Sequence, residues 1–167
     1  MKPAFVRQVR SASAFSDTAR QVTCDDTGLP GGSLIMTLAG EMPVANLRVG
    51  ARVVTRDSGT AVLRAVRQRR IVAMAVRIRA GSLGHNRPEH DTTLPAGQPV
   101  LVRDWRAGAL FGAPQALVPA ARLIDGEFVT LWPSAAMTVY DLQFDTPHVL
   151  YVDGLELASS LAAPVTS

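Results

Sequence analysis

The chain has 167 residues, of which 47% are hydrophobic and 19% charged, with a net charge of +3. That balance predicts one domain with a buried core and excludes a disordered or fibrous chain, and no apolar run approaches the ~18 residues of a membrane-crossing helix. One cysteine, Cys24, excludes a disulfide framework or zinc ribbon, and Met1-Lys2-Pro3 is not followed by the apolar stretch of a secretory signal, so a soluble cytoplasmic domain is expected.

Residues 1–27 carry Ser11, Ser13, Ser16, Thr18 and Thr23 among scattered bases with no sustained periodicity, which reads as an N-terminal extension or docking arm. From Gly28 onward the chain breaks into short apolar or alternating runs between turn residues, the punctuation of a β-rich fold. Strands are expected around Leu34–Leu38, Arg52–Arg56, Val62–Val72, Val76–Arg79, Val100–Val102, Phe128–Trp132, Thr138–Phe144 and Val149–Val152. The candidate helix is Pro119 followed by Ala120 to Ile124, with proline in the first turn. The fold class is therefore all-β, with at most one or two short helices, over residues 28–160, and 161–167 form a tail. Leu34, Ile35, Val44, Leu47, Val53, Val62, Val76, Ile78, Val100, Leu101, Leu131, Val139, Leu142 and Val149 are its expected core.

Charge is unevenly placed. Residues 48–79 hold nine arginines against Asp57 alone, 9 − 1 = +8, whereas 121–167 hold Arg122 against Asp125, Glu127, Asp141, Asp145, Asp153 and Glu156, 1 − 6 = −5. The two regions are expected to attract each other. Arg64, Arg67, Arg69, Arg70, Arg77 and Arg79 form a candidate interaction surface; nucleic acid is disfavoured as its partner because the sequence sets no aromatic platform beside them.

The run from Gly32 to Val53 places Ile35, Thr37, Gly40-Glu41, Pro43-Val44, Leu47 and Gly50 at the spacing G-T-x-I-x-T-x-x-G-E-x-P-V-E-x-L-x-x-G-D-x-V. Val76-Arg77-Ile78-Arg79-Ala80-Gly81-Ser82-Leu83-Gly84 follows, then Trp105-Arg106 with Leu110-Phe111-Gly112, then Leu117-Val118-Pro119-Ala120, and Leu142-Gln143-Phe144-Asp145 with Gly154 closes the series. In this order the segments resemble the Hint domain, the Hedgehog/intein autoprocessing fold, in its bacterial branch of short proteins. The resemblance covers about residues 28–160 and implies a pseudo-symmetric β-fold.

The chemistry that the resemblance implies is incomplete. Hint autoprocessing moves the peptide bond before the domain onto a first-residue thiol or hydroxyl, while a histidine protonates the departing nitrogen. The nucleophile position maps to Gly28, the histidine of S-P-Q-H-R-V-L to Gln98, and the aspartate of G-D to Ala51. Glutamine donates hydrogen bonds but cannot cycle a proton near neutral pH. Cys24 and Thr27 are the nearby side chains that could substitute, and His148 falls one place late of the family's closing histidine. His85, Glu89, His90 and Asp91 read as a polar loop rather than a metal cluster, so no cofactor or metal is expected.

Three functions follow as expectations: a non-catalytic binding or assembly module whose partner is another protein, an active self-cleaving domain, and a nucleic-acid module built on the arginines. Restoring Cys at 28 and His at 98 together is expected to restore slow thiol-dependent cleavage before residue 28.

Overall fold

The computed structural model describes residues 27–159 apart from His85. Cys24, the rest of the expected arm and the 161–167 tail lie outside the described residues. In chain order the strands are β1 (Leu29–Pro30), β2 (Leu34–Thr37), β3 (Gly40–Pro43), β4 (Arg52–Thr55), β5 (Gly59–Val62), β6 (Ala65–Ile78), β7 (Thr92–Pro95) and β8 (Pro99–Val102). Helix α1 (Trp105–Phe111) comes next, then β9 (Ala116–Pro119), β10 (Val129–Gln143), β11 (Val149–Val152) and β12 (Leu155–Ala158). The fold is all-β with a single α-helix among the described residues, as the residue pattern implied.

Two antiparallel sheets share the core. One runs β1-β10-β6-β7; the other runs β3-β2-β4-β11-β12-β8-β9, with β5 paired to β4. The alternating segments expected over Val62–Val72 and Val76–Arg79 are largely one strand, β6, with Val62 ending β5, and the two expected around 128–144 are likewise one, β10. These two pair along nearly their whole length, Val129 opposite Ile78 and Gln143 opposite Ala65. The register slips between Trp132 and Ala135, a span whose sequence includes a proline, a residue with no N–H to give a ladder.

Of the expected core, Ile35, Val44, Leu47, Val53, Val76, Ile78, Val100, Leu101, Val139 and Leu142 are buried. Leu34, Val62, Leu131 and Val149 are only half-buried. Neighbours on a strand face opposite ways, so the inward places go to Ile35, Leu63 and Leu150 beside three of them. Leu131 lies towards the bulged end of β10.

The expected helix after Pro119 is a 3₁₀ turn, Ala120–Leu123, and the α-helix lies earlier. Asp104 caps its N-terminus by accepting from Arg106 N–H, and Gly112 closes it in the left-handed region at φ 67°. Both capping signals were present in the sequence, but the seven-residue segment is too short to show a helical period. Among the described residues no helix is long and apolar enough to cross a membrane.

The attraction between basic and acidic regions is realised in three places. Arg64, just before β6, pairs with Asp145 after β10, and Arg69 on β6 pairs with Asp141 on β10. Glu156 on β12, only 2% exposed, accepts from Arg87 Nη1 at 2.8 Å and Arg103 Nε at 2.7 Å, with Arg56 Nε 3.4 Å from its other oxygen. One buried carboxylate thus ties the β4–β5 turn and the segments around Arg87 and Arg103 to β12. Removing it leaves three guanidiniums facing one another, so Glu156→Gln is expected to lower stability by roughly 3–5 kcal/mol, the usual cost of breaking a buried ion pair. The urea midpoint should fall with the slope unchanged.

A carboxylate also fixes the entry to β10. Asp125 Oδ1 accepts from the N–H groups of Glu127, Phe128 and Val129 at 2.8–2.9 Å. Burial pushes its pKa up, but these donors, aided by Arg106, outweigh it and hold the group below 3.8. A depressed folded pKa stabilises above the unfolded value and is lost as pH falls below it. Asp125→Asn, which keeps an acceptor but does not titrate, is therefore expected to make the acid side of the stability–pH curve shallower below about pH 4.

Candidate functional site

Gly28 precedes β1, which pairs Leu29 with Tyr140 and Pro30 with Val139 on β10. Gln98 ends the turn between β7 and β8, its N–H donating to Pro95 O and its C=O accepting from Ala120 N–H. These connections bring two residues separated by 70 positions into direct contact: Gly28 N–H donates to Gln98 Oε1 at 2.9 Å. The glutamine is 2% exposed, and its Nε2 donates to Ala158 O at 2.8 Å and Pro99 O at 3.2 Å. The partners fix the amide's orientation, since a backbone N–H requires the oxygen and two carbonyls require the nitrogen.

The other end of the Thr27–Gly28 peptide bond is held as well. Arg69 Nη2 donates to Thr27 O at 2.8 Å, and the same guanidinium forms a bidentate pair with Asp141 at 2.7 and 3.1 Å. Arg69 was expected on an interaction surface; instead it is largely covered and belongs to this site. Asp141 and Ala158 are further members that the sequence reading did not single out. The opposed charge of the two regions was the available signal for Arg69–Asp141, but the β6–β10 register chooses the partner. Ala51 lies apart, its backbone bonded to Arg48 O and Leu63 N–H.

Gly28 has φ +123°, and a Cβ built there would meet Val139 Cβ and Cγ2 at 2.8 Å and Asp141 Oδ1 at 3.4 Å. Val139 is fully buried. A side chain at 28 therefore meets both backbone strain and a filled space.

His148 is elsewhere, at the start of β11. Its Nδ1 lies 2.8 Å from Asp57 Oδ2 and 3.3 Å from Ser58 Oγ, its Nε2 3.3 Å from Thr146 Oγ1, and the Phe144 ring packs edge-on against it. Burial raises the Asp57 pKa, but the Val149 N–H and His148 outweigh it and hold the carboxyl below 3.8. The group latches the β4–β5 turn to β11. In the 84–91 loop, His90 faces Asp153 at 3.4 Å and Asp91 pairs with Arg77, while His85 lies outside the described residues.

The remaining stripe arginines divide between pairing and exposure. Arg64 and Arg77 have carboxylate partners, Arg67 and Arg70 are exposed, and Arg79 lies over the Phe128 ring. Arg77 also lies over Trp132, so Phe128 just before β10 and Trp132 on it bring aromatic rings beside two of these arginines, which the sequence order conceals.

Residues 27–164 match the family model of the Hint domain. Among solved structures, the chain is similar to a DnaB intein from Synechocystis sp. PCC 6803, with a TM-score of 0.56 at 13% identity over 80% of this chain and 99% of that one. It is also similar to a bacterial intein-like domain from Clostridium thermocellum, with a TM-score of 0.53 at 14% identity over 80% and 98% of the two chains. No curated protein matches the chain.

Gln98→Ala strands one buried donor and removes the donor to two carbonyls, so a loss of roughly 2–4 kcal/mol is expected. Gly28→Ala adds strain and a clash and should cost a similar amount. Gly32→Ala, where a Cβ meets nothing within 4 Å, should change stability by less than about 0.5 kcal/mol. Urea titrations of the three variants check this order.

Proposed function

Because the chain belongs to the Hint domain family, we propose that it is a member without self-cleavage whose domain, 28–160, serves as a non-catalytic protein-binding or assembly module. The observation that carries this reading is the hydrogen bond from Gly28 N–H to Gln98 Oε1.

Cleavage before residue 28 needs a side chain there to attack the Thr27 carbonyl and an acid to protonate the Gly28 nitrogen as it leaves. Glycine offers no attacking atom. The group facing the nitrogen is an acceptor, and the N–H bonds of the same amide are committed to Ala158 O and Pro99 O. Arg69 does contact the Thr27 carbonyl, where it would stabilise an oxyanion, but stabilisation without nucleophile or acid leaves the peptide bond intact. The arrangement favours a retained scaffold in which the former reaction centre acts as a structural joint. The second reading, an active Hint domain, rests on the family's chemistry, with Cys24 or Thr27 as its alternative nucleophiles.

Intact mass over a day, with and without dithiothreitol, separates the two. The full-length mass is expected under both conditions, and a product cut between residues 24 and 28 would overturn the proposal. The clash at Gly28 also revises the expectation for restored chemistry. The combined Gly28→Cys and Gln98→His variant is now expected to be destabilised by at least about 2 kcal/mol and to remain uncleaved, because its new Cβ must displace buried Val139.

A further inference from the structure

Resting on the binding-module reading, we propose that the surface on either side of residues 112–117 binds a peptide segment carrying an acidic residue between apolar ones, its carboxylate held by Arg56 and Arg103.

Two open concavities of ≈ 550 and ≈ 560 Å³ flank this stretch of chain. The first is bordered by Arg56 and Leu117, the second by Arg103 and Trp105. Trp105 is 68% exposed and Leu117 50%, so each concavity has a large apolar side chain beside a guanidinium. Exposed aromatic and aliphatic groups of this kind are what a partner's apolar side chains cover.

Charge selects the partner. Arg56 and Arg103 approach opposite oxygens of Glu156, and Arg87 is the third cation on that carboxylate. Counting Arg56, Arg87, Arg103 and Arg106 against Glu156, Asp57 and Asp104, the surroundings keep a local excess of +1 (4 − 3). Arg103 donates its Nε–H to Glu156, and Arg56 donates from Nη2 to Gln115 Oε1 while its Nε only approaches Glu156 Oε2 at 3.4 Å, so their other N–H groups remain for an added carboxylate. A guanidinium fork matches a carboxylate in geometry as well as charge.

The same walls disfavour a polyanion. Asp57 lines the first concavity and Asp104 the second. A nucleic-acid backbone following the groove would bring repeated phosphates against both, whereas a peptide can place one carboxylate between the arginines and apolar side chains on either side.

The test uses the full-length protein and a displayed library of random dodecapeptides. Selected sequences should place Asp or Glu beside Leu, Phe or a similar residue. Binding of the fluorescein-labelled consensus peptide, followed by anisotropy, should weaken about tenfold or more in Arg103→Ala, in Leu117→Ser and when its acid is replaced by the matching amide. Leu117→Ser leaves the Glu156 cluster untouched and guards against a folding defect in Arg103→Ala. Trp105 emission should shift on binding in a Trp132→Phe background. Selection of sequences without acidic residues, binding indifferent to both substitutions, or displacement by a poly(dT) oligonucleotide at matching concentration would overturn the proposal. Intact mass of the same sample separates the two claims: a full-length protein that selects no acidic–apolar peptide sinks the surface alone, whereas a self-cleaved protein that still binds the peptide through Arg103 sinks the non-catalytic reading alone.

Discussion

The Gln98 side chain joins the segment before β1 to the end of β12, parts of the chain that the sequence keeps far apart. Its oxygen receives the Gly28 N–H, while its nitrogen serves Ala158 at the end of β12 and Pro99 at the start of β8. A primary amide suits this buried position because it offers an acceptor and two donors at fixed separation. A neutral imidazole offers one of each and would leave a carbonyl without its donor. The site engages the amide's oxygen and both of its N–H bonds.

Arg69 and Asp141 complete the enclosure of the Thr27–Gly28 peptide bond. A bidentate pair between adjacent strands orients the guanidinium so that one remaining N–H reaches the carbonyl. Val139, on the same strand as Asp141, fills the volume beside Gly28 that a side chain at 28 would enter. Glycine at 28, glutamine at 98 and valine at 139 are mutually consistent: a planar backbone amide, an acceptor for its N–H and an apolar group against its α-carbon. Altering one places a demand on the others.

Charge is organised differently at the two ends of the molecule. On and beside the long β6–β10 ribbon each pair joins one arginine to one aspartate, and Arg64–Asp145 is exposed enough that its contribution is small. Around Glu156 the count is three to one, and the carboxylate is buried. Burial makes that carboxylate indispensable to its neighbours, and a single cluster thus holds three segments to β12.

Much of this was written in the sequence. Alternation marked the runs of β2, β4, β6, β8, β10 and β11 but not the short strands β1, β3, β5, β7, β9 and β12, and the order of short motifs pointed to a Hint-like scaffold. Strand alternation could not say which of Leu34 or Ile35 faces inward, and a helix of two turns, Trp105–Phe111, was too short for its period to register despite capping signals at Asp104 and Gly112. The partners of the arginines depended wholly on tertiary structure. Composition predicts that +8 and −5 regions attract, but the register of β6 against β10 sets Arg69 on Asp141, and the convergence of three segments on β12 sets three arginines on Glu156. Local sequence determines what each residue can offer as donor, acceptor, charge or volume. Which of those offers meet at Thr27–Gly28 and at Glu156 is decided by strand order and register, because the groups that pair there lie more than about 40 positions apart and only the folded sheets bring them within bonding distance.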